Sequence, residues 1–168
     1  SNNNSKIITL EDSQPDILGL QQKLKAKFHH GLIKASPMLS IEKALTQIEQ
    51  VENVHIVAIN NEVKELLFQV NYTKEVKAIK INAYDLNDEK NLIYQKEHNN
   101  TTSSQIQYFD IKEFLYLPHP AISKAGFFKD LAADFPVDKI APETHLYTST
   151  DKVDFPGRSF SVKQILEY

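Results

Sequence analysis

A nearly apolar run that ends in a polar turn limits the possible folds of this chain most strongly. Residues 54–59 are apolar except for His55, and such a run is typical of a strand covered on both faces. Asn60 and Asn61 are turn formers, and residues 66–70 are apolar enough to form a returning strand. The sequence therefore predicts a hairpin that starts with a buried strand.

The residues before this hairpin predict two helices and one strand. Apolar residues with helical spacing follow Pro15, and Asp12 or Ser13 can act as the N-cap of this first helix. Residues 31–36 predict a short strand, and Ser40 can cap a second helix. The order helix, strand, helix, strand, strand indicates the end of an α/β sheet.

The second half of the chain predicts a mixture of strands and one helix. Residues 76–86 alternate between apolar and polar, and together with residues 92–94 they predict a hairpin. Pro120 suits the first turn of a helix that continues to about Phe135. Further strands are predicted at residues 106–109, 114–117, 146–148 and 159–166.

Composition agrees with a folded protein and fits a reducing compartment. Of the 168 residues, 41% are hydrophobic and 24% are charged, which argues against wholesale disorder. No stretch approaches the roughly 20 apolar residues of a membrane span, so we expect none. The absence of cysteine excludes disulfides and cysteine-based metal sites. We expect a cytoplasmic protein.

Several common catalytic and metal-binding patterns are missing. His29 and His30 are adjacent, which is the wrong spacing for a helical metal pair, and no HExxH motif accompanies them. The chain also lacks a Gly-x-Ser-x-Gly elbow for a nucleophilic serine. We assign no catalytic residue and no metal ligand.

Three segments in the last third have an order of residues that core patterning does not require. They are Phe114-Leu-Tyr-Leu-Pro-His-Pro-Ala-Ile-Ser-Lys-Ala-Gly126, Thr144-His-Leu-Tyr-Thr-Ser-Thr150 and Asp154-Phe-Pro-Gly-Arg-Ser-Phe160. They resemble the region that follows the catalytic domain in a family of S-adenosylmethionine-dependent methyltransferase-like proteins. Members of that family carry a ferredoxin-like module and a C-terminal THUMP-like module.

Two earlier segments resemble the closing strands of the same family's class I methyltransferase domain, in which the last strand inserts antiparallel. These are Leu32-Ile-Lys-Ala-Ser-Pro-Met-Leu39 and Val54-His-Ile-Val-Ala-Ile-Asn-Asn-Glu-Val-Lys-Glu-Leu-Leu-Phe68. The resemblance implies an α/β fold of mixed α+β character. Residues 1–73 would be the end of a Rossmann-like methyltransferase sheet. Residues 74–168 would be a small ferredoxin-like α+β module that runs into the start of a THUMP-like region.

The resemblance also implies that the cofactor-binding half lies outside this chain. The usual cradle for the adenosyl group is a Gly-rich turn after a strand, and the four glycines here form no such turn. We therefore expect the intact protein to use S-adenosylmethionine and this region alone to bind no cofactor. We expect the chain to be a fragment of an RNA methyltransferase that is inactive by itself. The alternative is a non-catalytic interaction module that binds RNA or a partner chain.

Charge limits how tightly such a region could bind RNA. The formal net charge is -3, and Arg158 is the single arginine among 19 cationic residues. Lysine lacks the planar fork with which arginine grips phosphate. We therefore expect weak binding of structured RNA. We also expect no membrane partner, and we expect self-association through an exposed sheet edge.

Two groups of residues are candidates for substrate binding. The first group, at a strand end and in the hairpin turn, is Lys34, Ser36, Asn60, Asn61 and Glu62. The alternative is a strand terminus with Met38 and Leu39 packed inward, followed by an ordinary polar turn.

The second group comes from the three family-like segments and would form a stacking or phosphate-binding surface. Its members are Lys124, His145, Tyr147 and Arg158. The alternative is structural: a solvated Lys124, half-buried His145 and Tyr147 in a strand, and Arg158 paired with Asp154.

Overall fold

A computed structural model describes residues 9–98 and 107–166. The chain divides after His98 into two compact units. The first unit consists of a 3-10 turn at Leu10–Asp12, helices α1 (Ile17–Lys27) and α2 (Ile41–Gln47), and strands β1 (His30–Ala35), β2 (Val51–Ile59), β3 (Glu62–Asn71), β4 (Lys80–Asp85) and β5 (Leu92–Glu97).

These five strands form one mixed sheet in the order β1-β3-β2-β4-β5. β3 lies between β1 and β2 and is antiparallel to both, whereas β2 and β4 are parallel. Strands β1, β2 and β4 therefore run in the same direction and end at the same edge of the sheet. The antiparallel insertion of β3 is the arrangement that the family resemblance implies for the closing strands.

One face of this sheet carries the hydrophobic core of the first unit. Val54, Ile56 and Ala58 of β2 are fully buried, and so are Leu66 and Phe68 of the adjacent β3. The intervening residues of β2 are only half-buried. The expectation that both faces of residues 54–59 are covered is therefore wrong for the described residues, because side chains alternate between a core face and a partly exposed face.

The first helix begins later than Pro15 suggested. Asp16 is its N-cap, and the Asp16 carboxylate accepts a hydrogen bond from the Gly19 N–H at 2.9 Å, so neither Asp12 nor Ser13 caps it. Gln21 then ties α1 to the end of α2. Its side chain accepts from the Glu49 N–H at 2.8 Å and donates to the Gln47 carbonyl at 3.0 Å. Ser40 caps α2 as expected.

The boundary expected between residues 73 and 74 falls inside the first unit. β4 pairs with β2 over Asn53 to Ala58, and β5 pairs with β4, so residues 80–97 extend the first sheet. The division lies after His98 instead. β2 and β4 are parallel and are separated along the chain by β3, and such a non-local pairing leaves no local sequence signal, which explains the difference.

The second unit is a smaller antiparallel sheet with two short helices. Its elements are β6 (Phe114–Pro118), α3 (Pro120–Ala125), α4 (Phe128–Asp134), β7 (Asp138–Lys139), β8 (Tyr147–Ser149) and β9 (Gly157–Ser161), and the strand order is β7-β8-β6-β9. The continuous helix expected from Pro120 to Phe135 is wrong. Gly126 has a φ of 77°, which ends α3 in the left-handed conformation before α4 begins.

The predicted terminal strands of this unit also differ from the structure. The strand expected at residues 159–166 is β9, which ends at Ser161, and Tyr108 contributes only an isolated bridge to Lys139. Residues 99–106 lie outside the described part of the chain. Both sheets combine with helices, so the expected mixed α+β fold class is confirmed.

Aromatic residues form the core of the second unit. The ring of Phe155 lies 5.1 Å from that of Tyr116 and 5.6 Å from those of Tyr147 and Phe135. The Tyr116 hydroxyl also accepts a hydrogen bond from the Val153 N–H at 2.9 Å. This core therefore holds the segment between β8 and β9 against β6.

Gly157 is the residue at which β9 approaches β6 most closely. A Cβ atom at this position would lie 2.1 Å from the Leu117 carbonyl oxygen and 2.9 Å from the His119 nitrogen. We expect Gly157→Ala to destabilise the protein by about 1–3 kcal/mol, because rigid backbone must move to admit the methyl group. Urea unfolding measured by circular dichroism tests this.

The matched control is Ser161→Ala in the same strand. Ser161 is exposed, so its replacement should change the free energy of unfolding by no more than about 0.5 kcal/mol. Equal stability of the Gly157→Ala variant and the wild-type protein would contradict the close approach of β9 to β6.

Candidate substrate-binding site

The first group of candidate residues lies at the end of the first sheet where β1 and β2 terminate. Ala35 at the end of β1 pairs with Leu66, whereas Ile59 at the end of β2 pairs with Glu62. The hairpin therefore extends four residues beyond β1 along β3, which is roughly 13 Å. The two ends share an edge but do not form one pocket.

Lys34 and Ser36 have local partners at this edge. The Lys34 ammonium lies 2.6 Å from a Glu65 carboxylate oxygen, and its side chain is 68% exposed, so this ion pair adds little stability. The Ser36 hydroxyl accepts a hydrogen bond from the Met38 N–H at 3.2 Å. Leu39 packs inward, but Met38 is 73% exposed. Ser36 therefore stabilises the turn that leads to α2.

Asn60 and Asn61 have a structural role that explains their identity. Their φ angles are 53° and 59°, and asparagine tolerates this left-handed conformation in a two-residue hairpin turn. The Asn60 N–H donates to Asn87 Oδ1 at 2.5 Å, which joins this turn to the turn between β4 and β5. Glu62 forms an exposed ion pair with Lys64 at 2.5 Å.

A groove lies beside α1 and β1, and one of the candidates, Lys34, contributes to its lining. Its volume is about 450 Å³. The apolar side chains that line it come from α1, the residue after it, β1 and β3, and they are Ile17, Leu24, Phe28, Leu32, Ile33 and Val70. Local patterns do not indicate this groove, because its shape depends on how α1 packs beside β1 and on Val70 and Tyr72, which lie far along the chain.

The second group of candidates does not form one surface. Tyr147 is fully buried, and its hydroxyl donates to the Phe128 carbonyl at 2.5 Å. His145 is exposed, and its ring stacks on that of Phe128 at 3.6 Å. Because Tyr147 is sealed in the core, it cannot contact a substrate, and its selection as a binding residue is not supported by its position.

The two cations of this group differ in their surroundings. Lys124 is half-buried in the last turn of α3, and burial lowers the pKa of its ammonium group. Arg158 is exposed on β9, opposite Leu117 of β6. No ion pair joins Arg158 to Asp154 within residues 107–166. Of the two cations in this group, Arg158 is therefore the more accessible to an anion.

Sequence reasoning missed the aromatic neighbour of Arg158. Phe160 is 50% exposed and lies two residues further along β9, so both side chains project from the same face of the strand. Alternation within the motif around Arg158 could have revealed this pairing. An exposed ring beside a guanidinium group is able to stack against a base or another planar group.

Neither a metal site nor a membrane-spanning helix is found in the described ranges. Across residues 9–98 and 107–166, no three His, Asp or Glu side chains come together in a way that could hold a metal ion. None of the helices in these ranges has the length and apolar character needed to cross a bilayer.

Comparisons with known proteins give two matches. Residues 114–156 match the model of a ferredoxin-like domain. The chain is similar to the crystal structure of a "putative methyltransferase" from Porphyromonas gingivalis W83, with 31% sequence identity and a TM-score of 0.85. The similarity covers 95% of this chain and 41% of that chain. A comparison with curated proteins found no match.

These matches confirm part of the family resemblance. The second unit contains a ferredoxin-like domain, and the chain resembles a methyltransferase-associated region. The chain spans less than half the length of its solved relative. The cofactor-binding half and the THUMP-like module stay predictions.

The buried Tyr147 phenol should make the stability of the protein sensitive to alkaline pH. Burial raises the pKa of Tyr147, and the nearby Asp130 charge raises it further. Above the ordinary tyrosine pKa of about 10, the unfolded chain loses this proton while the folded protein keeps it. Stability should therefore fall as the pH rises above about 10, by up to about 1.4 kcal/mol per pH unit.

Tyr147→Phe is the test. At pH 7 it should cost about 0.5–1.5 kcal/mol, because the hydrogen bond to the Phe128 carbonyl is lost. Above pH 10 its free energy of unfolding, measured with urea, should depend less steeply on pH than that of the wild-type protein. Parallel curves for the two proteins would show that Tyr147 ionises as freely in the folded protein as in the unfolded chain.

Proposed function

We propose that this chain is the downstream region of an S-adenosylmethionine-dependent methyltransferase, and that methyl transfer depends on residues outside it. The supporting observation is the similarity of 95% of the chain to a structure described as a "putative methyltransferase", of which it spans 41%. In this proposal the chain completes the sheet and supplies the ferredoxin-like domain, and the cofactor binds elsewhere.

The residues present do not fit S-adenosylmethionine. The strand-to-helix turn of the first unit is the segment from Ser36 to Ser40, which contains no glycine. The four glycines lie in α1, in β1, after α3 and at the start of β9. None lies in that strand-to-helix turn, so these residues lack the glycine-rich turn at which an adenosyl cofactor is usually held. We therefore derive no chemical step from these residues.

The proposed substrate is structured RNA, with weak contacts from the second unit. The exposed Arg158 and Phe160 on β9 and the exposed His145 ring on Phe128 support this choice, since RNA is bound through cations and stacking rings. A net charge of -3 and a single arginine favour weak binding. We also propose that the intact protein is cytoplasmic, and the absence of cysteine from these 168 residues fits a reducing compartment.

The second candidate function is a non-catalytic interaction module. The second unit exposes several large apolar side chains, which single-domain proteins usually bury: Tyr108, Phe109, Ile111 and Phe160. Such residues could contact a partner chain in place of RNA. Self-association through a free sheet edge is a further form of this proposal.

Calorimetry with S-adenosylmethionine tests the first proposal. We expect the 168-residue chain to show no binding, and the product of the complete reading frame that encodes it to bind the cofactor with a dissociation constant in the micromolar range or below. Tight binding by the 168-residue chain would contradict our proposal that the cofactor binds to residues outside it. Failure of the complete product to bind would favour the interaction module.

Salt dependence tests the role of Arg158 in RNA binding. Binding of a mixed pool of small structured RNAs should weaken as salt rises, and Arg158→Gln should reduce the slope of log affinity against log salt by about 1. Lys27→Gln is the control, because Lys27 is an exposed cation in the first unit. Equal slopes for both variants and the wild-type protein would show that Arg158 does not contact an RNA phosphate.

A further inference from the structure

The two faces of the first sheet differ in chemistry along its three central strands, β3, β2 and β4. One face holds the buried aliphatic side chains of the core, and the other carries polar and aromatic side chains. Register and alternation place five residues together on this second face: Asn53, His55, Gln69, Lys80 and Tyr84. We call these five residues the polar face. All are half-buried except Lys80, which is exposed.

Gln69 of β3 connects the polar side chains of β2. Its Oε1 accepts a hydrogen bond from Asn53 Nδ2 at 3.2 Å and lies 3.3 Å from His55 Nε2. Because a carbonyl oxygen can only accept, His55 carries a proton on Nε2. Among residues 9–98 and 107–166, the Gln69 amide nitrogen and His55 Nδ1 have no partner, and neither atom is enclosed. Both can therefore bond to water or to a ligand.

Two rings lie beside these polar groups. The ring centroids of His55 and Tyr84 are 5.7 Å apart, and the ring planes are inclined by 41°. Within the described ranges the Tyr84 hydroxyl also has no hydrogen-bond partner, and it is open to solvent. Rings on neighbouring central strands of a sheet are the arrangement on which some RNA-binding domains stack unpaired bases.

The chemistry of the polar face favours a nucleotide over an apolar segment of protein. An apolar helix packed here would remove water from the Gln69 amide and the Tyr84 hydroxyl without replacing the lost hydrogen bonds. A nucleobase has a flat surface for the rings, and its edges carry donors and acceptors for the polar groups. The occupant that suits the whole face is therefore planar and polar.

Lys80 adds a positive charge to this face. It lies opposite Asn53 on β2 and opposite Glu97 on β5, and it forms no ion pair with any residue in the described part of the chain. Its ammonium group can therefore neutralise a phosphate next to a base bound on the rings.

We propose that the polar face binds an unpaired nucleotide of RNA. The base contacts the rings of His55 and Tyr84, its edge meets the Gln69 amide, and its phosphate lies at Lys80. This inference rests on the proposed function, from which it takes RNA as the ligand. It adds a binding site in the first unit and specifies that the bound part of the RNA is single-stranded.

Fluorescence anisotropy with short labelled RNAs of mixed sequence tests the proposal. The 168-residue chain should bind a single strand at least about 5-fold more tightly than a duplex of equal length, whose bases are already stacked. Tyr84→Leu keeps apolar bulk but removes the ring, and should weaken single-strand binding by about 5- to 150-fold. Tyr94→Leu is the matched control, because its position opposite Ala83 places Tyr94 on the other face. It should bind as tightly as the wild-type protein.

NMR on the wild-type protein tests the same site without a substitution. Addition of the single-stranded RNA should shift the signals of the His55 ring and of the Gln69 side-chain amide, because a stacked base changes their magnetic surroundings. The side-chain amide of Gln21, which is bonded to the Gln47 carbonyl, is the internal control and should not shift.

Several results would overturn the inference. These are equal affinity for single-stranded and duplex RNA, wild-type affinity of Tyr84→Leu, and unshifted His55 and Gln69 signals. Adenosine monophosphate that binds as tightly as the RNA would identify a mononucleotide site, and His55 shifts that grow with protein concentration alone would identify a second copy of the chain.

The same measurements separate this inference from the proposed function. RNA binding that depends on Arg158 but not on Tyr84 would overturn the inference alone. Absence of RNA binding by both the 168-residue chain and the product of the complete reading frame would instead contradict RNA as the proposed substrate.

Discussion

The pairing of β3 with two strands at once is the interaction on which the first unit depends. β3 uses both of its edges, because β1 and β2 bond to it on opposite sides. Its residues Leu66, Phe68 and Val70 are almost completely buried, and their neighbours in β2 are buried too. The same arrangement gives β1 and β2 a common direction, which β4 shares through its parallel pairing with β2. It therefore also places the turns that follow β1 and β2 at the same end of the sheet.

The second unit is held together differently, by aromatic rings and the hydroxyls of Tyr116 and Tyr147. Phe155 contacts the rings of Tyr116, Tyr147 and Phe135, and the Tyr116 hydroxyl binds the backbone near Val153. Three of these four rings, those of Tyr116, Tyr147 and Phe155, belong to the motifs that carry the family resemblance. Residues such as Tyr147 are thus required for packing, which is why a family-like motif is an unreliable guide to a binding surface.

Local patterns explain the parts of the fold that could be predicted. The Asn60-Asn61 turn, the Ser40 cap and the strand at residues 31–36 are each determined by neighbouring residues, and the structure contains all three. The break at Gly126 was missed because an apolar stripe continues on both sides of it. The candidate site was predicted least well, since exposure depends on the whole packed unit: Tyr147 is buried and Phe160 is not.

The sequence by itself determined the mixed α+β class, the central hairpin and the absence of a glycine-rich nucleotide cradle, because these depend on residue type and short-range spacing. Only the tertiary structure decided that β4 joins the first sheet, that Ser36 and Asn60 end apart on one edge, and that β1 keeps a free side beside exposed Leu32. Strand pairing joins residues far apart in the chain, and its register and order leave no mark on local patterns.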